Sequence, residues 1–134
     1  MNTNIRVLVA DDMMTMRKIV AKTLKELGFT DIIEAADGAQ AWTALAQSEV
    51  PVGLIVSDWN MPNSTGIDLL KRVRSESRFK HLPFVLVTAE SEKTQIIEAI
   101  NAGASNYVVK PFTSDILREK LTSAFKVQAA KVAA

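Results

Sequence analysis

The chain has 134 residues, enough for one domain that buries a core without disulfides or a structural metal. It contains no cysteine, which excludes a disulfide framework, a thiolate zinc site and a cysteine nucleophile. Lysine and arginine number 16 against 15 acidic residues, a net charge of +1 with the basic residues dispersed, so nothing in the composition calls for nucleic acid or an anionic membrane.

The first residues lack the apolar core of a signal peptide, and no apolar run approaches membrane-spanning length, so a soluble, cytoplasmic chain is expected. Residues 5–10 form an apolar run broken only by Arg6, which predicts a buried strand that exits into Asp11 and Asp12. Beyond Thr15, Met16, Val20, Thr23, Leu24 and Leu27 recur at helical spacing, and Gly28 stands where a left-handed cap would end the helix. A second strand is predicted over 31–35, a turn at Asp37-Gly38, and a second helix from the stripe Ala41, Trp42 and Leu45.

The stretch Leu54-Ile55-Val56-Ser57-Asp58-Trp59-Asn60-Met61-Pro62, with Gly53 before it, reads as a buried strand that stops at a carboxylate. Two readings of Asp58 stand side by side at this point. It caps a turn, as an aspartate beside Asn60 and Pro62 often does, or it carries chemistry at the exit of a strand.

Asn63-Ser64-Thr65-Gly66 is loop chemistry, and Ile67, Leu70 and Val73, with Lys71, Arg72 and Arg74 between them, predict a third amphipathic helix. Pro83 opens a strand over 84–87 that ends at Thr88. Ile96, Ile97 and Ile100 place a fourth helix on the core ahead of Gly103. Residues 107–109 predict a fifth strand ending at Lys110-Pro111, and Thr113 caps a last helix with Leu117, Leu121, Ala124 and Phe125 inward. The alanine-rich tail 126–134 either extends that helix or frays. With no repeat, linker or low-complexity segment, a single domain over 1–134 is expected.

Strands alternating with helices imply an α/β fold, a doubly wound five-stranded parallel sheet with five helices, because parallel neighbours need right-handed crossovers. That architecture brings Asp11, Asp12, Asp58, Thr88 and Lys110 to one edge of the sheet. Five turn-starting residues would also stand there. Their chemistry adds something turns do not need: three carboxylates, a hydroxyl and an ammonium are the parts that hold a hard divalent cation and a transferred phosphoryl group. Oxygen-only donors favour Mg2+ or Mn2+ over zinc. Carboxylate attack on phosphorus gives an aspartyl phosphate, with Lys110 and Thr88 placed to meet the phosphate oxygens.

Asp11-Asp12, the run from Ser57 to Asn63, Val87-Thr88-Ala89-Glu90, and the block from Ala102 through Tyr107, Lys110 and Pro111 to Thr113 together resemble the receiver domain of two-component systems. The likeness is to the CheY-like chemotaxis response regulators within that family. It implies the flavodoxin-like strand order 2-1-3-4-5, for which that family is itself a standard example. It implies that Asp58 accepts phosphate from a histidine kinase, that Asp12, Asp58 and the Asn60 carbonyl bind Mg2+, and that Asp11 acts largely through water. It further implies that Lys110 contacts the phosphoryl group, that the bond before Pro111 is cis, and that Thr88 and Tyr107 form a switch. Glu90, Ile96 and Lys120 then belong to a partner face that engages a flagellar motor switch protein. For Tyr107, Ile96 and Lys120 the plainer readings are a half-buried aromatic, core packing and a solvated charge.

Implied besides are a monomer, a dedicated phosphatase as a further partner, and slow self-phosphorylation and self-dephosphorylation in place of enzymatic turnover. A role as a phosphate sink away from the motor is the alternative. Met13-Met14, Ser64-Thr65 and Glu92 depart from the best-known members. An aspartyl-nucleophile phosphatase normally carries a general acid two residues after the nucleophile, where this chain has Asn60. A flavin module would need a phosphate cradle after the first strand, where Asp11-Asp12 has the wrong charge. His81, the only histidine, lies in a predicted loop, so the phosphohistidine donor must be another protein.

Overall fold

The structure is a computed structural model and describes residues 1–89 and 93–133. Strands and helices alternate along it: β1 (Arg6–Ala10), α1 (Met14–Glu26), β2 (Asp31–Ala35), α2 (Gly38–Gln47), β3 (Val52–Asp58), α3 (Gly66–Ser75), β4 (Phe84–Thr88), α4 (Lys93–Asn101), β5 (Asn106–Val109) and α5 (Ser114–Ala133). The strands pair in parallel in the order β2-β1-β3-β4-β5. Parallel neighbours cannot be joined by hairpins, so every connection crosses a face through a helix.

Double coverage explains the unbroken apolar runs. Side chains alternate along a strand, so Leu8, Ile55, Phe84 and Leu86 meet α2, α3 and α4 at Leu45, Leu70 and Ala99. Val7, Val9, Leu54, Val56 and Val85 take the other face and meet α1 and α5 at Leu24, Leu117 and Leu121.

Local chemistry sets the helix ends. Gly28 adopts φ 108°; its N–H donates to the Lys25 carbonyl while that of Phe29 reaches Leu24, the double bond of a Schellman stop. Thr65 and Asp68 form a reciprocal capping box on α3. The Thr113 hydroxyl accepts from the Ile116 N–H at 3.2 Å. Asp37 differs from expectation: it is no turn residue but the N-cap of α2, its carboxylate accepting from the Gln40 N–H at 2.7 Å. A carboxylate one residue before the helix is placed to satisfy one of its orphan N–H groups.

The fourth helix corrects a second expectation. Ile97 and Ile100 are 46% and 57% exposed, and the buried position on α4 is Ala99. The small side, Ala99 with Ala102 just past the helix end, faces the sheet, and Ile97 and Ile100 are left outside.

Of the tail, residues 126–133 continue α5, which runs to Ala133. Gln128, within it, is only 5% exposed and joins a polar hub around Arg74. The sequence pattern put Arg74 on the wet side of α3, yet its Nε–H donates to the Gly103 carbonyl at 2.9 Å and Nη1 donates to the carbonyls of Lys80 and Leu82 at 3.0 and 2.6 Å. Nη2 donates to Ser105 Oγ and Gln128 Oε1 at 3.4 and 3.2 Å. All five N–H groups are thereby used on neutral acceptors.

Candidate functional site

Four strands end at one edge of the sheet, and their polar exits converge. Asp11 and Asp12 follow β1, Asp58 closes β3, Thr88 closes β4 and Lys110 follows β5. Carboxylate oxygens of Asp11, Asp12 and Asp58 lie within 4.8 Å of one another. Two unit charges at that range repel by on the order of 3 kcal/mol at a near-surface dielectric. Lys110 partly relieves this: its Nζ lies 3.1 Å from Asp58 Oδ1 and 3.4 Å from Asp11 Oδ2. Asp11 is 2% and Asp58 9% exposed, whereas Asp12 stands in solvent at the rim. Burial, and then the neighbouring charge of Asp11, push the Asp58 carboxyl above the usual aspartate range against the opposing pull of Lys110.

The backbone at Asp58 is fixed from several sides. The Trp59 N–H donates to the Val87 carbonyl and the Trp59 carbonyl accepts from the Gly66 N–H, both at 2.9 Å. A Cβ on Gly66 would overlap the Asp58 carbonyl oxygen and touch Leu86. Glycine is therefore a requirement of close approach at this position, not of a turn. The sequence reading had Gly66 as loop chemistry, and the signal that could have found it is its place directly after the Thr65 cap. Asn63, at φ 68°, donates from Nδ2 to Asp37 Oδ2 at 3.3 Å and holds the same loop against the start of α2.

The remaining predicted residues fall around this edge. Thr88 is 3% exposed, and its carbonyl accepts from the Lys110 N–H at 2.8 Å. Asn60 is exposed two residues past Asp58. Lys110-Pro111 is a cis bond, as the resemblance implied. Tyr107 is half-buried on β5 beside Leu86, with Lys120 Nζ 4.7 Å from its ring centre. Ile96 is half-buried on α4. Glu90, and Glu92 with it, lie outside the described residues.

This arrangement fits a hard divalent cation. Its donors are oxygens alone, one carboxylate reaches solvent so that the ion could keep waters, and the crowded charge of Asp58 would be relieved by it.

A sequence model of the response regulator receiver domain matches residues 7–122. The chain is similar to the chemotaxis protein CheY of Pseudomonas aeruginosa, 49% identical over 121 residues that span 90% of this chain and 96% of that one. It is 47% identical over 116 residues to CheY1 of Helicobacter pylori, spanning 87% of this chain and 93% of the relative. Among solved structures, the response regulator CheY4 of Vibrio cholerae superposes with a TM-score of 0.81 at 32% identity, over 90% of this chain and 98% of that one. Within the described residues no helix is long and apolar enough to cross a membrane.

Proposed function

Because the chain belongs to the response regulator receiver family and is a CheY-type chemotaxis signalling protein, we propose that Asp58 is its phosphoacceptor. The donor is a phosphohistidine on a chemotaxis histidine kinase. An Asp58 carboxylate oxygen forms the O–P bond as the donor's P–N bond breaks, and the electron pair leaves on the imidazole nitrogen, which takes a proton. The Lys110 ammonium, already 3.1 Å from Asp58, stabilises the negative charge that moves onto the phosphate oxygens.

Asp11, Asp12 and Asp58, with the Asn60 carbonyl, would hold Mg2+; the ion supplies charge neutralisation that lets two anions meet. The single observation that carries this reading is the cluster of three carboxylates with Lys110 at the exit edge of the sheet. Asn60 cannot act as an acid or base on water, which supports slow self-dephosphorylation and argues against a phosphatase.

The reading extends to output. The Thr88 hydroxyl moves to the new phosphate, Tyr107 turns inward, and the face formed by α4, β5 and α5, including Ile96, Lys120 and Glu90, changes its affinity for a flagellar motor switch protein in the cytoplasm. The half-buried state of Tyr107 supports this, since the ring has both a core side and a solvent side. A phosphatase specific to the phosphorylated form is a further partner. Incubation with acetyl phosphate and Mg2+, followed by intact mass and peptide mapping, tests the chemistry: one phosphate on Asp58 is expected, and full labelling of Asp58→Asn would overturn it.

A further inference from the structure

The end of the sheet opposite the carboxylates carries the reverse charge. Where the chain enters β4 and β5, beneath the last turns of α5, lies a cleft of about 400 Å³ lined by Arg74, Lys80, His81, Gln128, Lys131 and Val132. No carboxylate of the described residues lines it. Among the described residues, none of its four basic side chains takes part in an ion pair.

Arg74 is the anchor. Its five N–H groups are bound to carbonyls, a hydroxyl and an amide, so its position is fixed while its charge has no counter-ion among the described residues. Burial pushes its guanidinium down to about 10, still well above neutrality, so the cation persists. A fixed cation in a partly enclosed site, flanked by two exposed lysines, attracts an anion more strongly than the same charges spread over a flat surface. At neutral pH Arg74, Lys80 and Lys131 together suit a dianion better than a single carboxylate. The cleft also continues over Pro83, Phe125 and Ala129, sharing His81, Gln128 and Val132, so an apolar wall adjoins the charged end.

We propose that this cleft binds a small phosphate-bearing anion, with the phosphate against Lys80 and Lys131 and any apolar moiety over Phe125 and Ala129. The site stands apart from the chemistry proposed for Asp58, because it lies at the entry ends of the strands and needs no divalent ion. Lys80 and Lys131 would be the selecting residues, and Arg74 would set the potential without touching the ligand.

The test is a backbone amide chemical-shift titration of the full chain in EDTA, using inorganic phosphate and adenosine monophosphate as separate probes and sodium chloride as the ionic-strength control. Saturable shifts are expected at Lys80, His81, Gly103, Gln128 and Lys131, with affinity falling at least about tenfold in the Lys80→Gln, Lys131→Gln double variant. Both lysines are solvent-exposed, so the variant should retain the parent spectrum elsewhere. Tighter binding of the nucleotide assigns a role to the apolar wall; equal binding of the two probes assigns a free-phosphate site. The proposal is overturned if chloride reproduces the shifts, if none appear at millimolar probe, or if the double variant binds as well as the parent.

Discussion

Lys110 and Asp58 are 52 residues apart in the chain and 3.1 Å apart in space, and the same ammonium reaches Asp11 at 3.4 Å. Lys110→Met therefore leaves three carboxylates facing one another. In metal-free buffer the variant should lose about 1–3 kcal/mol of stability, less than the cost of breaking a fully buried pair because Lys110 is partly exposed. Added Mg2+ should restore more to the variant than it adds to the parent. Urea unfolding with EDTA and with Mg2+ reads both; an identical Mg2+ response in the two proteins would mean that the carboxylates do not strain the fold.

Gly66→Ala sets two effects against each other. Alanine favours a helix over glycine by up to about 1 kcal/mol. The new methyl group meets the Asp58 carbonyl and Leu86, a form of overpacking that costs about 1–3 kcal/mol in a tight site. The clash should win, lowering the unfolding midpoint and slowing acetyl phosphate labelling together. A variant with unchanged stability and labelling would show that the contact relaxes freely.

Gln128→Ala removes the acceptor for the Ser105 hydroxyl at 2.9 Å and for Arg74 Nη2 at 3.2 Å. Leaving those donors unpaired should cost about 2 kcal/mol. Gln128→Glu keeps an acceptor and sets a negative charge beside a guanidinium that has no ion pair among the described residues, so it should match or exceed the parent in urea while weakening phosphate binding at the basic cleft. If alanine and glutamate behave alike, the hub contributes through packing and not through its polar bonds.

Glu34 provides the pH test. Burial pushes its carboxyl up, but ion pairs with Lys18 at 2.8 Å and Arg17 at 3.0 Å outweigh that and hold it below the ordinary glutamate value of 4.5. A depressed folded-state pKa means the stabilisation is present above the unfolded value and is lost as pH falls through the folded one. The parent should exceed Glu34→Gln by about 0.5–1 kcal/mol at pH 7, with the gap closing below about pH 4.5. A gap that persists at pH 3 would assign the effect to something other than charge.

How much of this was legible depended on how local each cause is. Strand positions, the Gly28 stop and the Thr113 cap are written in adjacent residues, and they appear within two residues of where the pattern put them, β3 starting early at Val52 with Gly53 inside it. The alignment of Asp11, Asp12, Asp58, Thr88 and Lys110 followed from parallel topology alone, because every strand exit shares an edge. Arg74 was illegible for the opposite reason: its acceptors come from residues up to 54 positions away, and charge alone suggested a solvated face. Ile97 and Ile100 misled because three isoleucines outweigh one alanine in any hydrophobic pattern, although Ala99 is the residue that fits against the sheet.

Trp59 and Gly66 hold the main chain of Asp58 as a mason sets a post. A post of that kind keeps a constant address whatever is hung on it. A group added to Asp58 would then be sensed by neighbouring segments through its size and sign, not through any lurch of the support, and a conservative change in the footing should blur that response even with every reactive atom intact.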